Sequence, residues 1–246
     1  MKFEILTEKI DGKNFRLIRP IEALTDDEYD DIKPWIENMG GHWRERVKAF
    51  TFAMDSAKRE SFLEWQEQHQ FFPTPSEVAK RVVELANLEH IAKSSLPVVL
   101  EPSAGAGALL DEIPIWFEHK EYVIEPVDEN ADILEDKGYK VERISFEEFY
   151  NQHKNLGKDI DIVIMNPPFS KSRDIKHTLM AYDLLKDGGT LVSVVSENAM
   201  YYDNDASNQF RDWLDKTHAY IEHVPYGLFK ESGTTIDTII IKVTKA

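Results

Sequence analysis

The tetrapeptide Asn166-Pro167-Pro168-Phe169 follows an apolar run, Ile160–Met165, and has the composition of an acceptor site for a flat amine. Proline cannot donate to a sheet ladder and fixes φ near −65°, so the prolines end the strand and orient its last carbonyls. The Asn166 side-chain oxygen and the Pro167 carbonyl can then accept both hydrogens of an exocyclic amine. This favours a pyramidal nitrogen with an available lone pair. The ring of Phe169 can stack on the base that carries the amine.

Two further strand ends carry residues that suit a nucleoside. The apolar strand Val98–Leu100 leads through Glu101 into a loop whose small residues let the backbone approach a ligand closely. These loop residues are Ser103, Ala104, Gly105 and Gly107. Glu125 follows the strand Tyr122–Ile124, roughly 20 residues further on, where a carboxylate can accept both hydroxyls of a ribose. Each feature alone also fits a structural turn or a surface acid, but together they favour a ligand site.

Alternating strands and helices must bring these strand ends together. From residue 71 onward, apolar strands without period-two alternation are separated by helical segments, which predicts a mostly parallel sheet covered on both faces. The other predicted elements are helix 74–89, a helix after the glycine-rich loop, helix 128–137, strand 139–144, helix 175–186 and strands 190–195, 220–224 and 235–243. No helix separates the last two strands, so we expect an antiparallel pair at the sheet edge. Ligands of such sheets bind at the carboxyl ends of the strands.

The first 70 residues follow another pattern and predict a small α+β module. Two alternating segments around Asp11-Gly12 predict a hairpin, and Trp43–Phe52 predicts a further strand or hairpin. Residues 25–39 and 56–68 are each typical of a helix. We therefore expect two domains, residues 1–70 as a candidate for substrate recognition and residues 71–246 as the domain that carries the strand ends.

Composition narrows the function classes. The chain contains no cysteine, which excludes disulfide frameworks, thiolate metal sites and cysteine nucleophiles, and its histidines lack metal-site spacing, so we expect no metal. No signal-peptide pattern and no apolar run long enough for a bilayer occur, so the expected location is the cytoplasm, without membrane attachment. The net charge of −16 repels polyphosphate at long range. Any contact with nucleic acid must therefore be local.

In their combination and order, these motifs resemble those of the class I S-adenosylmethionine-dependent methyltransferases. The specific likeness is to DNA adenine N6-methyltransferases with an NPPF motif, of the type found in phages and mobile elements. The resemblance covers residues 71–243, about two-thirds of the chain. It implies a Rossmann-like, mostly parallel seven-stranded sheet, S-adenosyl-L-methionine as the cofactor and DNA as the partner. The implied reaction is methyl transfer to the N6 amine of an adenine flipped out of the duplex.

The resemblance also implies roles for individual residues. The catalytic residues are Asn166, Pro167, Pro168 and Phe169. The cofactor-binding residues are Phe72, Thr74, Glu101, Ser103, Ala104, Gly105, Gly107, Glu125, Ser145, Phe146 and Asn166. The substrate-binding residues are Phe169, Lys171, Arg173, Gly233 and Thr234.

Thr74 allows another interpretation, and Ser145 departs from the pattern of the family. Thr74 and Glu77 have the spacing of a capping box with Pro75 at the first helical position, so a helix start explains this segment without a ligand. Ser145 stands where the family often has an acid that binds the adenine amine. A serine can still hydrogen-bond there, and Phe146 can sandwich the adenine ring.

A basic cluster follows the tetrapeptide. Its members, Lys171, Arg173, Lys176 and His177, can hold a phosphate backbone at the mouth of the pocket, although ordinary surface charge explains them equally well.

Other acceptors stay open on the sequence alone. The same tetrapeptide serves enzymes that methylate cytosine N4, RNA adenine or a protein glutamine amide, since each offers a planar conjugated amine. The segment Phe71–Pro75 resembles the one that precedes the fold in this family and closes over the methionine end of the cofactor. Together with the glycine-rich loop, it favours DNA adenine as the acceptor. An alternative of a different class is a non-catalytic acidic nucleic-acid mimic or binding partner that keeps the fold, and the intact NPPF sequence argues against it. The recognised site and the oligomeric state are left open.

Overall fold

A computed structural model describes residues 3–10, 13–20, 41–44, 49–53, 74–91, 96–155, 159–169, 172–225, 228–230 and 236–246. The chain divides into two compact units, residues 1–70 and residues 71–246. Within the described ranges, no helix combines the length and the apolar composition that crossing a bilayer requires.

The first unit contains a four-stranded sheet with the order β1-β2-β4-β3. Its strands are β1 (Phe3–Ile10), β2 (Lys13–Pro20), β3 (Gly41–Arg44) and β4 (Ala49–Ala53). β1 and β2 are antiparallel and pair from Ile10 opposite Lys13, which confirms the first predicted hairpin. β3 and β4 are also antiparallel, with Trp43 opposite Phe50, so this segment forms a hairpin too. The helices predicted for 25–39 and 56–68 lie outside the described residues.

The second unit contains a seven-stranded sheet with the order β10-β11-β9-β8-β5-β6-β7. Its strands are β5 (Val98–Glu101), β6 (Lys120–Ile124), β7 (Val141–Glu142), β8 (Ile160–Met165), β9 (Leu185–Ser196), β10 (Tyr220–His223) and β11 (Thr238–Thr244). The strands β5 to β9 pair in parallel, and β11 pairs antiparallel with both β9 and β10. The predicted fold class, a mostly parallel sheet with an antiparallel edge pair, is confirmed.

Helices connect these strands. They are α1 (Ser76–Ala86), α2 (Leu88–Ile91), α3 (Asp128–Asp136), α4 (Phe146–His153), α5 (Arg173–Leu184), α6 (Asn198–Tyr201) and α7 (Asp205–Lys216). Three of them, α4, α6 and α7, were not predicted, although α4 and α7 begin at a recognisable N-cap. The Ser145 side chain accepts from the Glu148 amide, and the Asn204 side chain accepts from the Ser207 amide.

The segment after β5 differs from its prediction. We expected a full helix after the glycine-rich loop, but residues 102–119 contain only a three-residue 3-10 helix, Leu110–Glu112. An α-helix here would need an N–H at position 114 to bond the Leu110 carbonyl, and Pro114 has none. The Ile113 amide donates to that carbonyl instead, at 3.0 Å, which closes a 3-10 turn. The predicted strand 139–144 is also shorter, since β7 is an edge strand paired only with β6.

The core lies on both faces of β8, all six residues of which are buried. Val163 and Met165 point to the face packed against α5, whereas Ile162 and Ile164 point to the face packed against α1. An apolar strand covered on both sides is what a central parallel strand requires. This packing fixes the position at which β8 ends and Asn166 begins.

A buried carboxylate joins α5 to β9 beside that point. Asp174 lies in the first turn of α5, is 2% exposed, and accepts a hydrogen bond from the Ser196 amide at 2.9 Å. Burial raises the pKa of Asp174 from 3.8 to about 6, while hydrogen bonds from backbone amides, that of Ser196 first, oppose the shift. The folded state therefore holds this proton more tightly than the unfolded state does.

We expect Asp174→Asn to become more stable relative to the wild type as the pH rises. Because the folded pKa is the higher one, the stabilising contribution of Asp174 is complete below about pH 4 and is lost as the pH rises through about 6. The asparagine keeps an acceptor for Ser196 but cannot ionise. Urea unfolding should show its free energy of unfolding gaining roughly 1–2 kcal/mol on the wild type between pH 5 and pH 8. A difference that stays constant over this range would contradict the assignment.

Candidate active site

The predicted site residues follow three neighbouring strands. Glu101 ends β5, Glu125 follows β6, and Asn166 follows β8. β5 pairs in parallel with both β6 and β8, so the carboxyl ends of the three strands meet at one edge. The chain continues from β5 to one side of the sheet and from β8 to the other. Such a switch point is where open α/β sheets bind ligands.

The glycine-rich loop is shaped by two residues with positive φ, Gly105 at 55° and Gly107 at 94°. The Ala104 amide donates to the Ile124 carbonyl at 3.0 Å, which joins the loop to the end of β6. The Gly107 amide donates to the Ala104 carbonyl at 2.9 Å and closes a turn. No α-helix follows in the described residues 102–119, so the expected helix amides do not contribute to this end of the site.

Lys137, at the end of α3, holds the loop from outside. Its ammonium donates to the Ala106 carbonyl at 2.9 Å and forms an ion pair with Asp111. The sequence analysis missed this residue. A lysine more than thirty residues from the loop carries no local signal, and only the packing of α3 brings it there.

Glu125 lies where the sequence predicts a ribose-binding acid, and it also supports the loop. One carboxylate oxygen accepts from the Gly105 amide and the other from the Val127 amide, each at 2.8 Å. The side chain is buried, at 5% exposure. These two bonds hold the carboxylate at the carboxyl end of β6, next to the glycine-rich loop.

Glu101 is buried next to the loop at 1% exposure. One of its oxygens accepts from the Ser103 amide at 3.3 Å. Burial, together with the charge of Glu125, raises the pKa of Glu101 well above its usual value, against the effect of that amide. The second carboxylate oxygen and the Ser103 hydroxyl are buried without a hydrogen-bond partner among the described residues. Two polar atoms at this edge therefore suit a polar ligand.

Asn166 has one satisfied and one unsatisfied end. Its Nδ2 donates to the Thr74 hydroxyl at 2.9 Å. Its Oδ1 is buried and has no partner in the part of the chain that the structure describes. The free atom is therefore an acceptor, which is what the amine-binding hypothesis requires of this side chain.

The contact with Thr74 corrects one interpretation of the sequence. The helix α1 begins at Ser76, its N-cap residue is Pro75, and no side chain caps it. The predicted capping box is therefore wrong. The Thr74 hydroxyl binds the Asn166 amide, because the packing of α1 against β8 brings the two segments together.

Phe169, the predicted stacking residue, packs into the core. It is 8% exposed, and its ring meets the ring of Phe229 edge to face, with the centroids 6.2 Å apart. Pro167 is buried and Pro168 is half-buried. Base stacking on Phe169 stays a prediction.

The two residues proposed for the cofactor's adenine have structural partners. The Ser145 hydroxyl caps α4 through the Glu148 amide at 3.2 Å. Phe146 is 3% exposed and meets the His177 ring edge to face, with centroids 5.3 Å apart. Their contact with an adenine stays a prediction.

The basic cluster after the tetrapeptide is partly neutralised. His177 and Lys176 each contact the same Glu147 oxygen at 3.0 Å. Burial raises the pKa of Glu147, but hydrogen bonds from His177 and Lys176 outweigh it and bring that pKa to about 2. His177 is itself 5% exposed, and burial lowers its pKa, so the prediction that it is a surface cation is wrong. Arg173 begins α5 and is half-buried.

Four of the predicted site residues cannot be placed. Phe72, Lys171, Gly233 and Thr234 lie outside the described residues.

A matched pair of glycine substitutions tests how the loop packs. Gly107 and Gly138 have nearly the same φ, 94° and 96°, but a Cβ on Gly107 would lie 2.9 Å from Leu134 Cδ2, whereas one on Gly138 would meet nothing within 4 Å. Alanine at either position incurs the strain of positive φ. Because Leu134 is fully buried, Gly107→Ala should lose about 1–3 kcal/mol more in the free energy of unfolding than Gly138→Ala. Equal losses in chemical denaturation would show that Leu134 does not constrain the loop.

Comparisons with known proteins bear on this site through the fold. No model of a protein family matches the sequence, and no curated protein matches it. Solved structures do match. The methyltransferase subunit of a type I restriction-modification system from Streptococcus thermophilus has a TM-score of 0.59 and 20% identity, over 71% of this chain and 45% of that chain.

Two further solved structures are similar over 78% of this chain. The DrdV–DNA complex matches with a TM-score of 0.54 and 14% identity, over 29% of that chain. The type IIG restriction endonuclease BpuSI matches with a TM-score of 0.52 and 17% identity, over 28% of that chain. The present chain thus spans less than half the length of each protein. Residues 71–246, with their seven-stranded sheet and its antiparallel edge strands, have the fold of the class I methyltransferases.

Proposed function

We propose that this chain is an S-adenosyl-L-methionine-dependent methyltransferase that modifies the exocyclic N6 amine of adenine in DNA. The observation that carries the proposal is the unpartnered, buried Oδ1 of Asn166 at the carboxyl end of β8. An acceptor atom at this place in a class I methyltransferase fold suits an amine that arrives from outside the protein. One structural neighbour is the methyltransferase subunit of a restriction-modification system and another is in complex with DNA, which favours DNA as the substrate.

The residues at the other end of the site fit the cofactor. Glu101 and Ser103 have buried polar atoms without partners among the described residues, and the carboxylate of Glu125 lies close enough to Glu101 to raise its pKa. We propose that Glu101, Ser103 and Glu125, with the backbone of the glycine-rich loop, bind its amino-acid and ribose groups. The cofactor supplies a methyl group on a positively charged sulfur. Phe72, Ser145 and Phe146 complete the proposed set, and Thr74 is proposed to act through Asn166 instead.

Asn166 would act on the acceptor nitrogen. The N6 lone pair of adenine is delocalised into the ring, which makes the amine a weak nucleophile. When Asn166 Oδ1 and the Pro167 carbonyl accept its two hydrogens, the nitrogen becomes pyramidal and its lone pair is directed away from the ring plane. Thr74 keeps the amide in the orientation that presents Oδ1, since it binds Nδ2. These groups act mainly by alignment of the reacting atoms.

The adenine must leave the DNA duplex to reach this pocket. A base inside a duplex cannot bring its amine to a buried acceptor, so we propose that the enzyme flips the target base. Phe169 would then stack on the flipped ring once the ring of Phe229 yields space. Arg173 is the described cation next to the tetrapeptide and is proposed to contact a flanking phosphate, together with Lys171. Gly233 and Thr234 would line the other side of the target base.

Asn166→Ala tests the proposed acceptor. Removal of the oxygen should lower the rate of methyl transfer at least about 100-fold, because a pre-oriented polar group is lost from the reacting atom. Cofactor affinity, measured by calorimetry, should change less than about twofold. The matched control is Asn198→Ala, the same change at an exposed position after β9 on the same sheet edge, which should leave both quantities unchanged.

The acceptor is identified by mass spectrometry. The protein is incubated with isotopically labelled cofactor and separate DNA, RNA and protein pools, and N6-methyladenine in DNA is the expected product. If the label is found instead in cytosine, in RNA or in a glutamine amide, that group is the acceptor and DNA adenine is not. Wild-type turnover in Asn166→Ala would refute the proposed role of the amide, and a protein that binds no cofactor would refute the enzyme itself.

Two substitutions at Thr74 separate its proposed roles. Thr74→Val keeps the shape but loses the hydroxyl that binds Asn166 Nδ2, so kcat should fall about tenfold, the worth of one hydrogen bond, while the cofactor Kd is unchanged. Thr74→Ser keeps the hydroxyl and should retain most of the activity. The opposite pattern, a weaker Kd with an unchanged kcat at saturation, would assign Thr74 to the cofactor alone.

A further inference from the structure

Two adjacent tyrosines stand out from the surface near the proposed site. Tyr201, the last residue of α6, is 70% exposed, and Tyr202 is 56% exposed. Aromatic rings this large usually bury most of their area. Two such rings side by side therefore indicate a contact with something outside the chain.

Their place in the sheet puts them at the catalytic edge. The tyrosines follow the carboxyl end of β9, which pairs in parallel with β8, with Ser193 opposite Met165. The residue after Met165 is Asn166. The hydrogen bond from the Ser196 amide to Asp174 joins the end of β9 to the first turn of α5, the helix that follows β8. Tyr201 and Tyr202 thus follow the carboxyl end of the strand next to β8, on the same side of the sheet at which Asn166 lies.

The segment that carries the rings is held in place. Arg211 on α7 donates to the Ala199 carbonyl at 3.2 Å and to the Tyr202 carbonyl at 2.9 Å. The Tyr201 hydroxyl donates to Glu197 at 3.1 Å. Because the Arg211 bonds fix the backbone that carries both rings before any ligand arrives, a ligand that stacks there loses little additional conformational freedom.

Charge around the rings limits the kind of contact. Glu197, Asp203 and Asp205 are their close neighbours in the sequence, and the last two are exposed. Arg211, a cation on the facing helix, already binds backbone carbonyls. Such a surface does not attract phosphate groups, but base faces stack on aromatic rings irrespective of sequence.

We propose that Tyr201 and Tyr202 form a stacking platform for an unpaired base of the DNA strand next to the target adenine. Removal of the target from the helix exposes the faces of its neighbours, and the platform replaces part of the stacking that is lost. The proposal rests on the proposed function for its substrate, and it adds a binding surface outside the acceptor pocket.

Trp116 provides a control for non-specific adsorption of DNA to exposed aromatic rings, because it lies at the other end of the parallel strands. Trp116 is 56% exposed and lies shortly before the start of β6, at the amino ends of the parallel strands. It is as exposed as Tyr202 and at least as large, but it cannot contact a substrate at the carboxyl ends.

Binding of single-stranded DNA tests the platform. The probe is a labelled thymidine oligonucleotide of about ten residues, which contains no adenine, and the measurement is fluorescence anisotropy. Tyr201→Ala/Tyr202→Ala should weaken binding at least about tenfold. Tyr201→Phe/Tyr202→Phe keeps both rings and should bind like the wild type, as should Trp116→Ala. Since stacking is uncharged, the ratio of the wild-type and double-alanine Kd values should be the same at about 50 and 200 mM salt.

The outcomes separate this proposal from the proposed function. No binding by the wild type, equal binding by the double-alanine variant, or an equal loss in Trp116→Ala would each overturn the platform, even if adenine methylation is observed. Ring-dependent binding without any methylated product would support the platform and count against the enzyme. Circular dichroism and unfolding curves of the variants establish that they fold. Weaker binding of the oligonucleotide by the double-phenylalanine variant would show that the hydroxyl groups, and not the rings, hold the DNA. That result would refute the proposal.

Discussion

The hydrogen bond between Asn166 Nδ2 and Thr74 Oγ1 joins segments that lie 92 residues apart, and the proposed acceptor depends on it. It forms only if α1 packs on the face of β8 that carries Ile162 and Ile164. Arg81 on α1 adds a second anchor, since its guanidinium binds the Glu222 carboxylate on β10 through Nε at 2.9 Å and Nη2 at 2.7 Å. The orientation of the Asn166 amide thus requires α1 to be packed against the sheet and anchored to β10.

Three buried polar atoms without partners in the described part of the chain lie at the carboxyl ends of β5 and β8. Glu101 Oε2, Ser103 Oγ and Asn166 Oδ1 are all buried without partners among the described residues. Each such atom costs about 1–3 kcal/mol of stability unless a ligand or water binds it. Glu125 and Lys137, by contrast, are satisfied because they hold the glycine-rich loop. The loop is thereby rigid, whereas the atoms around it retain binding capacity.

The net charge restricts where a phosphate backbone can approach this chain. The chain carries a net charge of −16, and Glu147 engages Lys176 and His177 close to the tetrapeptide. These two side chains are therefore already engaged and do not attract a phosphate backbone. Stacking of bases and hydrogen bonds to an amine do not need a positive surface, and both fit the residues that border this edge.

The sequence by itself determined the architecture of the larger unit and the three strand ends. Uninterrupted apolar runs such as Ile160–Met165 predict buried parallel strands, and the prolines that follow must end one, because both effects act within a few residues. The prediction from sequence was wrong where one local pattern was compatible with two different hydrogen bonds. Thr74 has a complete capping-box sequence, but only the tertiary structure assigns its hydroxyl to Asn166, as it assigns Lys137 to the glycine-rich loop. Local patterns fix backbone conformation, whereas the partner of a side chain is whichever group packing brings within about 3 Å.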